Sequence, residues 1–167
     1  MVKQYSERET RLMGNSFHEA RQENTRKIMD SRPLDGILFT SLENIRYLCG
    51  FTGSDGAFLL TQKESFFLTD SRYWTQAEEE VKEARIIHYK KKMEGIFSLL
   101  FELKLNQVGF ESPSLPFSAY QFLAERLGNE TKLIPLEEEL TNLRAVKDSH
   151  ELTLIRRAID ISSRAFL

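Results

Sequence analysis

Apolar and polar positions change period several times along the chain, and each change marks an element. A polar opening with scattered Val2, Tyr5, Leu12 and Met13 reads as a loose arm or short helix. Asn15 and Ser16 then offer N-cap side chains to the run FHEARQENTRKIMDSR, where Phe17, Ala20, Ile28 and Met29 recur at near-helical spacing. Pro33 stops this helix because it has no N–H to continue the ladder. Asp35-Gly36 leads into Ile37-Leu38-Phe39, a short unbroken apolar run of the kind a strand buried on both faces carries. Ser41 caps a second helix, with Glu43 in its first turn and Ile45 and Leu48 on its apolar face, and Gly50 closes it.

Beyond a loop spaced by Gly50, Gly53 and Gly56, residues Ala57 to Thr61 and Ser65 to Thr69 form two strands around polar Gln62-Lys63-Glu64, an antiparallel hairpin. Tyr73 to Lys82 is expected as helix and Arg85 to Tyr89 as strand. Met93 to Leu105 is a strongly apolar helix with Ile96, Phe97, Leu100 and Leu103 on one face. Val108-Gly109-Phe110 is a brief strand, and Pro113 and Pro116 bracket a loop. Phe117 to Leu127 is a helix ended by Gly128, and Lys132 to Pro135 is the last strand. Strands alternating with helices, interrupted by one hairpin, give an α/β fold with a mixed central sheet flanked by helices on both faces.

Ser149 to Leu167 carries separate information. At 100° per residue, Leu152, Leu154, Ile155, Ala158, Ile159, Ile161, Ala165 and Phe166 fall on an arc of roughly 160°, wider than the usual stripe of about 100°. Such a helix wants cover on more than one side. It runs to Phe166-Leu167 with no C-cap glycine, proline or polar tail, so we expect a polypeptide cut here, with a further domain that normally covers it.

Composition narrows the class without naming a chemistry. At 167 residues, 41% hydrophobic and 29% charged, the chain has the balance of one soluble globular domain with tails. A formal net charge of -2 implies no pull toward nucleic acid. No apolar run approaches the roughly 20 residues that cross a bilayer, and the charged N-terminus lacks a secretory core, so no membrane partner and a cytoplasmic location are expected. Cys49 is the single cysteine, which leaves no internal disulfide and no cysteine-based metal knuckle.

No catalytic set stands out. His18-Glu19 and His150-Glu151 begin like the zinc-peptidase H-E-x-x-H, but Gln22 and Leu154 occupy the last position, so no metal site is expected in this chain. The glycines at 50, 53 and 56 lie between a helix and a strand, the reverse of a dinucleotide fingerprint, and are read as turn formers. Cys49 is read as a buried small residue rather than a nucleophile. Ser54-Asp55 lacks a G-x-S-x-G elbow, and Lys90-Lys91-Lys92 is read as a solvated turn. Arg72, beside Asp70 and Tyr73, either faces a functional surface or forms an ion pair that holds its loop. Phe51 either plugs the core, the favoured alternative, or lines a pocket.

Three stretches resemble one family. Asn44-Ile45-Arg46-Tyr47-Leu48-Cys49-Gly50-Phe51-Thr52-Gly53-Ser54 is similar to the N-I-x-Y-L-x-G-F-x-G-S segment of the creatinase/prolidase N-terminal domain. Asp70-Ser71-Arg72-Tyr73-Trp74-Thr75-Gln76-Ala77 resembles that domain's D-x-R-Y-x-x-Q-A. Leu143-Arg144-Ala145-Val146-Lys147-Asp148, with Glu151, Ile155, Arg156 and Ala158, resembles the signature joining it to a catalytic domain. The resemblance implies residues 1–25 as an N-terminal arm or helix, 26–140 as the creatinase-type N-terminal domain with a ribonuclease H-like fold, and 141–167 as a linker and the truncated first helix of the missing catalytic domain.

It also implies a parent enzyme of the Xaa-Pro dipeptidase or aminopeptidase P type, which hydrolyses the peptide bond preceding proline in short peptides. In that family two divalent metals, commonly manganese, are held in the catalytic domain by Asp, His and Glu, and none of those ligands is assigned here. This chain alone is then expected to be inactive and to bind no cofactor. Its implied role is to shape and cover the active-site mouth and to support a homodimer. Phe51, Thr52, Gly53, Ser54, Asp55, Arg72 and Tyr73 match the family motifs and are the candidate mouth residues. A creatinase-type amidinohydrolase and a non-catalytic peptide-binding module share this domain and are the alternatives.

Overall fold

The computed structural model describes residues 16–166; the expected arm over residues 1–15 lies outside the described residues. Helix α1 spans Phe17–Ser31, β1 Gly36–Phe39, α2 Leu42–Cys49, β2 Ala57–Thr61 and β3 Ser65–Thr69. A 3-10 turn at Ser71–Tyr73 leads into α3 (Trp74–Glu80), followed by β4 (Arg85–His88), α4 (Lys92–Leu103), β5 (Gln107–Glu111), α5 (Phe117–Leu127) and β6 (Lys132–Leu136). The six strands form one sheet in the order β4-β3-β2-β1-β5-β6. The hairpin joins β2 and β3 antiparallel, β1 pairs antiparallel with β2, and β1–β5, β5–β6 and β3–β4 are parallel.

The unbroken apolar runs have the structural meaning expected of them. Every residue of β1, β2 and β3 is buried, so both faces of the sheet centre are covered. Successive side chains point to opposite faces. Leu38, Leu59, Phe66 and Leu68 join Ile96, Leu99 and Leu100 of α4 and Leu123 and Leu127 of α5 in one core layer. Ile37, Phe39, Phe58, Leu60 and Phe67 occupy the opposite face and are fully buried. Helices α1 and α2 belong to that layer. Arg26 of α1 donates from Nε to Thr61 O of β2 at 2.9 Å, while Ile45 and Leu48 of α2 have no exposed surface.

Helix α1 is continuous across residue 25, and its first turns carry polar side chains that tie it to α2. Gln22 Nε2 donates to Leu48 O at 3.0 Å and Arg21 Nη1 to Tyr47 O at 3.0 Å, which satisfies carbonyls at the C-terminal end of α2. The N-terminal end of α2 is held from β5, the strand paired with β1. Glu111 of β5 is 3% exposed and accepts from Thr40 N–H, Ser41 N–H and Asn44 Nδ2 at 2.5, 2.7 and 2.5 Å.

Two expected helices end early for local reasons. Expected over Tyr73 to Lys82, α3 stops at Glu80, because Val81 turns extended and Lys82 N–H leaves to donate to Cys49 O at 2.9 Å. Expected to reach Leu105, α4 stops at Leu103, where Lys104 takes a left-handed φ of 51°.

The chain divides into two compact units, one up to Glu137 and one from Glu138. The second contains a short helix α6 (Glu138–Thr141), a 3-10 turn (Asn142–Arg144) and α7 (Ser149–Ala165). Asp148 and Glu151 form a reciprocal capping box at the start of α7. Its apolar positions are exposed, with Leu154 at 52%, Ile159 at 57% and Ile161 at 59%.

Candidate functional site

The candidate residues lie on two loops, each held by a short-range signal. Gly50 takes φ 85° to close α2, and a Cβ there would come within 3.0 Å of His18 Nε2 and 3.2 Å of Glu80 O, so glycine is required twice over. The chain then runs through Phe51 to Asp55 into β2. The second loop begins where β3 ends: Asp70 accepts from Arg72 N–H at 2.9 Å and so starts the 3-10 turn.

The structure brings the two loops together through Tyr73. Its hydroxyl lies 2.5 Å from Ser54 Oγ, and its ring meets Phe51 edge-on at 5.8 Å and 89°. Phe51 is 1% exposed and packs on Phe67 at 4.4 Å, so its ring is a core plug and a support for Tyr73, not a pocket wall. Gly53 fits between these rings, since a Cβ would sit 2.3 Å from Phe51 Cζ and 3.0 Å from Tyr73 Cδ1.

Asp55 joins the loops electrostatically. It accepts from Lys92 Nζ at 2.8 Å and Tyr89 OH at 3.1 Å, and Arg72 Nη2 stands 3.5 Å away. Burial, and then the charge of Asp55, push the Tyr89 phenol well above its ordinary pKa, so it stays a donor to that carboxylate. Arg72 makes a two-point pair with Asp70, from Nη2 at 2.7 Å and Nε at 3.1 Å. That hydrogen bond holds the Asp70 carboxyl below its usual range and raises the guanidinium. Of the alternatives for Arg72, the ion pair is present. Yet its side chain remains 66% exposed, so it also belongs to the surface of the loop.

Thr52 is anchored by a group that the motif reading passed over. Glu80 accepts from Thr52 N–H at 2.7 Å and Thr52 Oγ1 at 2.8 Å, and Gln76 Nε2 donates to both, at 3.1 Å to Thr52 Oγ1 and 3.0 Å to Glu80. Burial raises the Glu80 carboxyl, but these hydrogen bonds outweigh it and leave its pKa lowered. Gln76 was legible as part of the second motif, and Glu80 lies one helical turn beyond it. Lys92 belongs by sequence to a solvated basic run, and nothing local to it points across 37 residues to Asp55.

The chemistry of this rim is that of a shaped, hydrogen-bonded surface. Ser54 Oγ faces a phenol rather than a base. Cys49 is fully buried, its thiol pushed up to about 12 by desolvation, which makes it inert as a nucleophile. Among the described residues no three His, Cys, Asp or Glu gather in a group that could hold a metal ion. No described helix is long and apolar enough to cross a membrane.

A family model described as the creatinase/prolidase N-terminal domain matches residues 21–146, which include both loops. The chain belongs to the creatinase/prolidase N-terminal domain family. An uncharacterized peptidase, YqhT, of Bacillus subtilis (strain 168) is 31% identical over 145 residues, covering 86% of this chain and 41% of that protein. A solved Xaa-Pro dipeptidase from Bacillus anthracis shares the fold at TM-score 0.82 and 29% identity, over 89% of this chain and 42% of that one. The N-terminal domain of the cytoplasmic peptidase PepQ from Mycobacterium tuberculosis H37Rv matches at TM-score 0.70 and 29% identity, over 75% of this creatinase/prolidase-type chain and 98% of that domain. The chain thus spans about two fifths of the two Bacillus proteins.

Proposed function

We propose that this chain is the non-catalytic N-terminal domain of a Xaa-Pro peptidase, a dipeptidase or aminopeptidase P, which shapes and covers the active-site mouth and supports a homodimer. The observation that carries the proposal is the brace between the two motif loops. Phe51 and Tyr73 pack at the centre, Asp55 and Arg72 stand beside them, and Thr52, Ser54 and Arg72 form an exposed polar rim. A rigid wall of this kind excludes long chains from a site for short peptides.

The family's reaction, hydrolysis of the peptide bond preceding proline, uses two divalent metals, commonly manganese. The described residues of this chain do not fit such a pair, because no carboxylate and histidine cluster forms among them. By the family resemblance, metal binding and peptide hydrolysis are assigned to the catalytic domain of the longer protein, through which short proline-containing peptides would be its partners. A cytoplasmic location is proposed by analogy with the Mycobacterium relative, which is described as cytoplasmic.

The test compares this chain with the longer protein on an Xaa-Pro dipeptide in the presence of manganese. The chain alone should release no free proline, while the longer protein should do so. Turnover by the chain alone overturns the proposal. Cleavage of creatine with no action on the dipeptide assigns the parent instead to the amidinohydrolases.

A further inference from the structure

The sheet has two edges, and they are built differently. Lys132 N–H donates inward to Asn106 O at 2.7 Å, so by alternation Pro135 turns its nitrogen outward. Proline has no N–H to offer, and the β6 edge is thereby blunted. On the opposite edge Tyr89 N–H donates inward to Thr69 O at 2.9 Å, so Ile86 and His88 point both N–H and C=O outward. No described residue pairs with that side of β4, and no proline interrupts Arg85–His88.

We propose that the β4 edge pairs antiparallel with β4 of a second copy of this chain, about a two-fold axis at Ile87. This names the surface for the dimerisation part of the function proposed above and rests on that part. The register follows from charge and strand length. Bonds are exchanged only between residues that both point outward, which puts the axis at Ile86, Ile87 or His88. An axis at His88 sets Arg85 against Lys91 of the second copy, and like charges directly opposed are destabilising. An axis at Ile86 runs out of strand, because the chain reaches the left-handed Glu83, φ 54°, just beyond Ala84. An axis at Ile87 pairs Ile87 with itself, exchanges bonds between Ile86 and His88, and sets Arg85 opposite the neutral Tyr89, so that no like charges are opposed.

The space beside the edge suits that partner. An open groove of about 380 Å³ runs between Ile87–Lys91 and the α4 residues Gly95, Ser98 and Glu102. Arg85, Ile87 and Tyr89 lie on the α4 side of the sheet, as Ile87 and Tyr89 pack with the α4 core layer there. Arg85 of the second copy, which pairs with its own Glu64 at 3.2 Å, then stands beside a groove whose lining carries Glu94 and Glu102 together with Lys90 and Lys91. On the other face, the exposed side of Trp74, stacked on His88 at 3.5 Å, gains cover from Ile86 of the second copy.

The test combines sedimentation with amide hydrogen exchange on the unaltered chain, and adds cysteine cross-linking. A dimer should form as concentration rises, with the Ile86 and His88 amides becoming protected in step. Ile87→Cys should then form a disulfide with itself, since paired Cα atoms at a non-hydrogen-bonded position lie about 4.5 Å apart. Arg85→Cys should link at least about tenfold more slowly, because its own copies would stand roughly 13 Å apart along the ladder. Cys49 is buried and does not compete. A dimer whose Ile86 and His88 amides exchange freely, or equal linking by both variants, overturns the edge and leaves dimerisation standing. A monomer at all concentrations overturns both.

Discussion

Helices α2 and α7 have the same local grammar and opposite fates. Each has a side-chain N-cap, Ser41 or Asp148, an acid in the first turn and an arginine in the last. Yet α2 buries Ile45, Leu48 and Cys49 completely, while α7 leaves Leu154, Ile159 and Ile161 more than half exposed. Their lengths explain part of the difference. At 8 residues α2 is below the roughly 12–15 at which an isolated helix becomes even marginal, so tertiary contacts must hold it. With 17 residues and a capping box, α7 has more local support than α2. Caps and periodicity make a helix; burial depends on what stands opposite.

The contrast breaks if core truncation in α2 is no worse than in α7. Leu48→Ala should cost about 2–5 kcal/mol in urea unfolding, because α1 and the sheet close over its side chain. The matching Ile159→Ala should stay within about 0.5 kcal/mol, as expected of an exposed position. The held end of α2 sharpens the point. Glu111→Gln replaces a charged acceptor of three donors by a neutral amide with a single oxygen and should lose about 1–3 kcal/mol by the same measurement. An unchanged midpoint would mean that the carboxylate does not anchor the helix.

Asp148→Ala removes the reciprocal cap of α7 and should cost roughly 0.5–2 kcal/mol of local helix stability. Amide exchange should accelerate in the first turn of α7 and stay unchanged in β1. The smallest effect concerns the exposed cap, Asp70. The Arg72 hydrogen bond depresses its folded carboxyl, so its stabilisation is present at neutral pH. It is lost as pH falls from the unfolded carboxylate value of about 3.9 through the lower folded one. The difference in urea midpoint between the unaltered chain and Asp70→Asn should therefore shrink between pH 7 and pH 3. A difference that grows on acidification contradicts the pairing.

What was legible in the chain follows the same division. Strand and helix identities from Ile37 to Leu136 were readable, because apolar runs, the Gln62-Lys63-Glu64 turn and caps such as Ser41 act within a few residues. The two family motifs were also readable as loops. Their union was not, since Ser54 and Tyr73 meet across 19 residues and Lys92 reaches Asp55 across 37. The cap on α2 was equally hidden, because Glu111 lies 70 residues beyond Ser41. Phe51 had two possible places, and only the position of Phe67 decides that the ring turns inward. Lys104 shows the limit from the other side: a lysine in left-handed backbone ends α4 with no glycine to announce it.

Placing the earliest strand at the middle of the sheet also bears on biosynthesis. Residues emerging from a ribosome can complete β1 through β4 on one flank while the remainder is still being made, and the β1–β2 and β2–β3 pairings among them are antiparallel neighbours in sequence. The other flank of β1 stays open until α4 has crossed and β5 arrives, a longer-range closure of the slower kind. For that interval the nascent domain has an unsealed central seam, and this is the stage at which a chaperone would find most to hold.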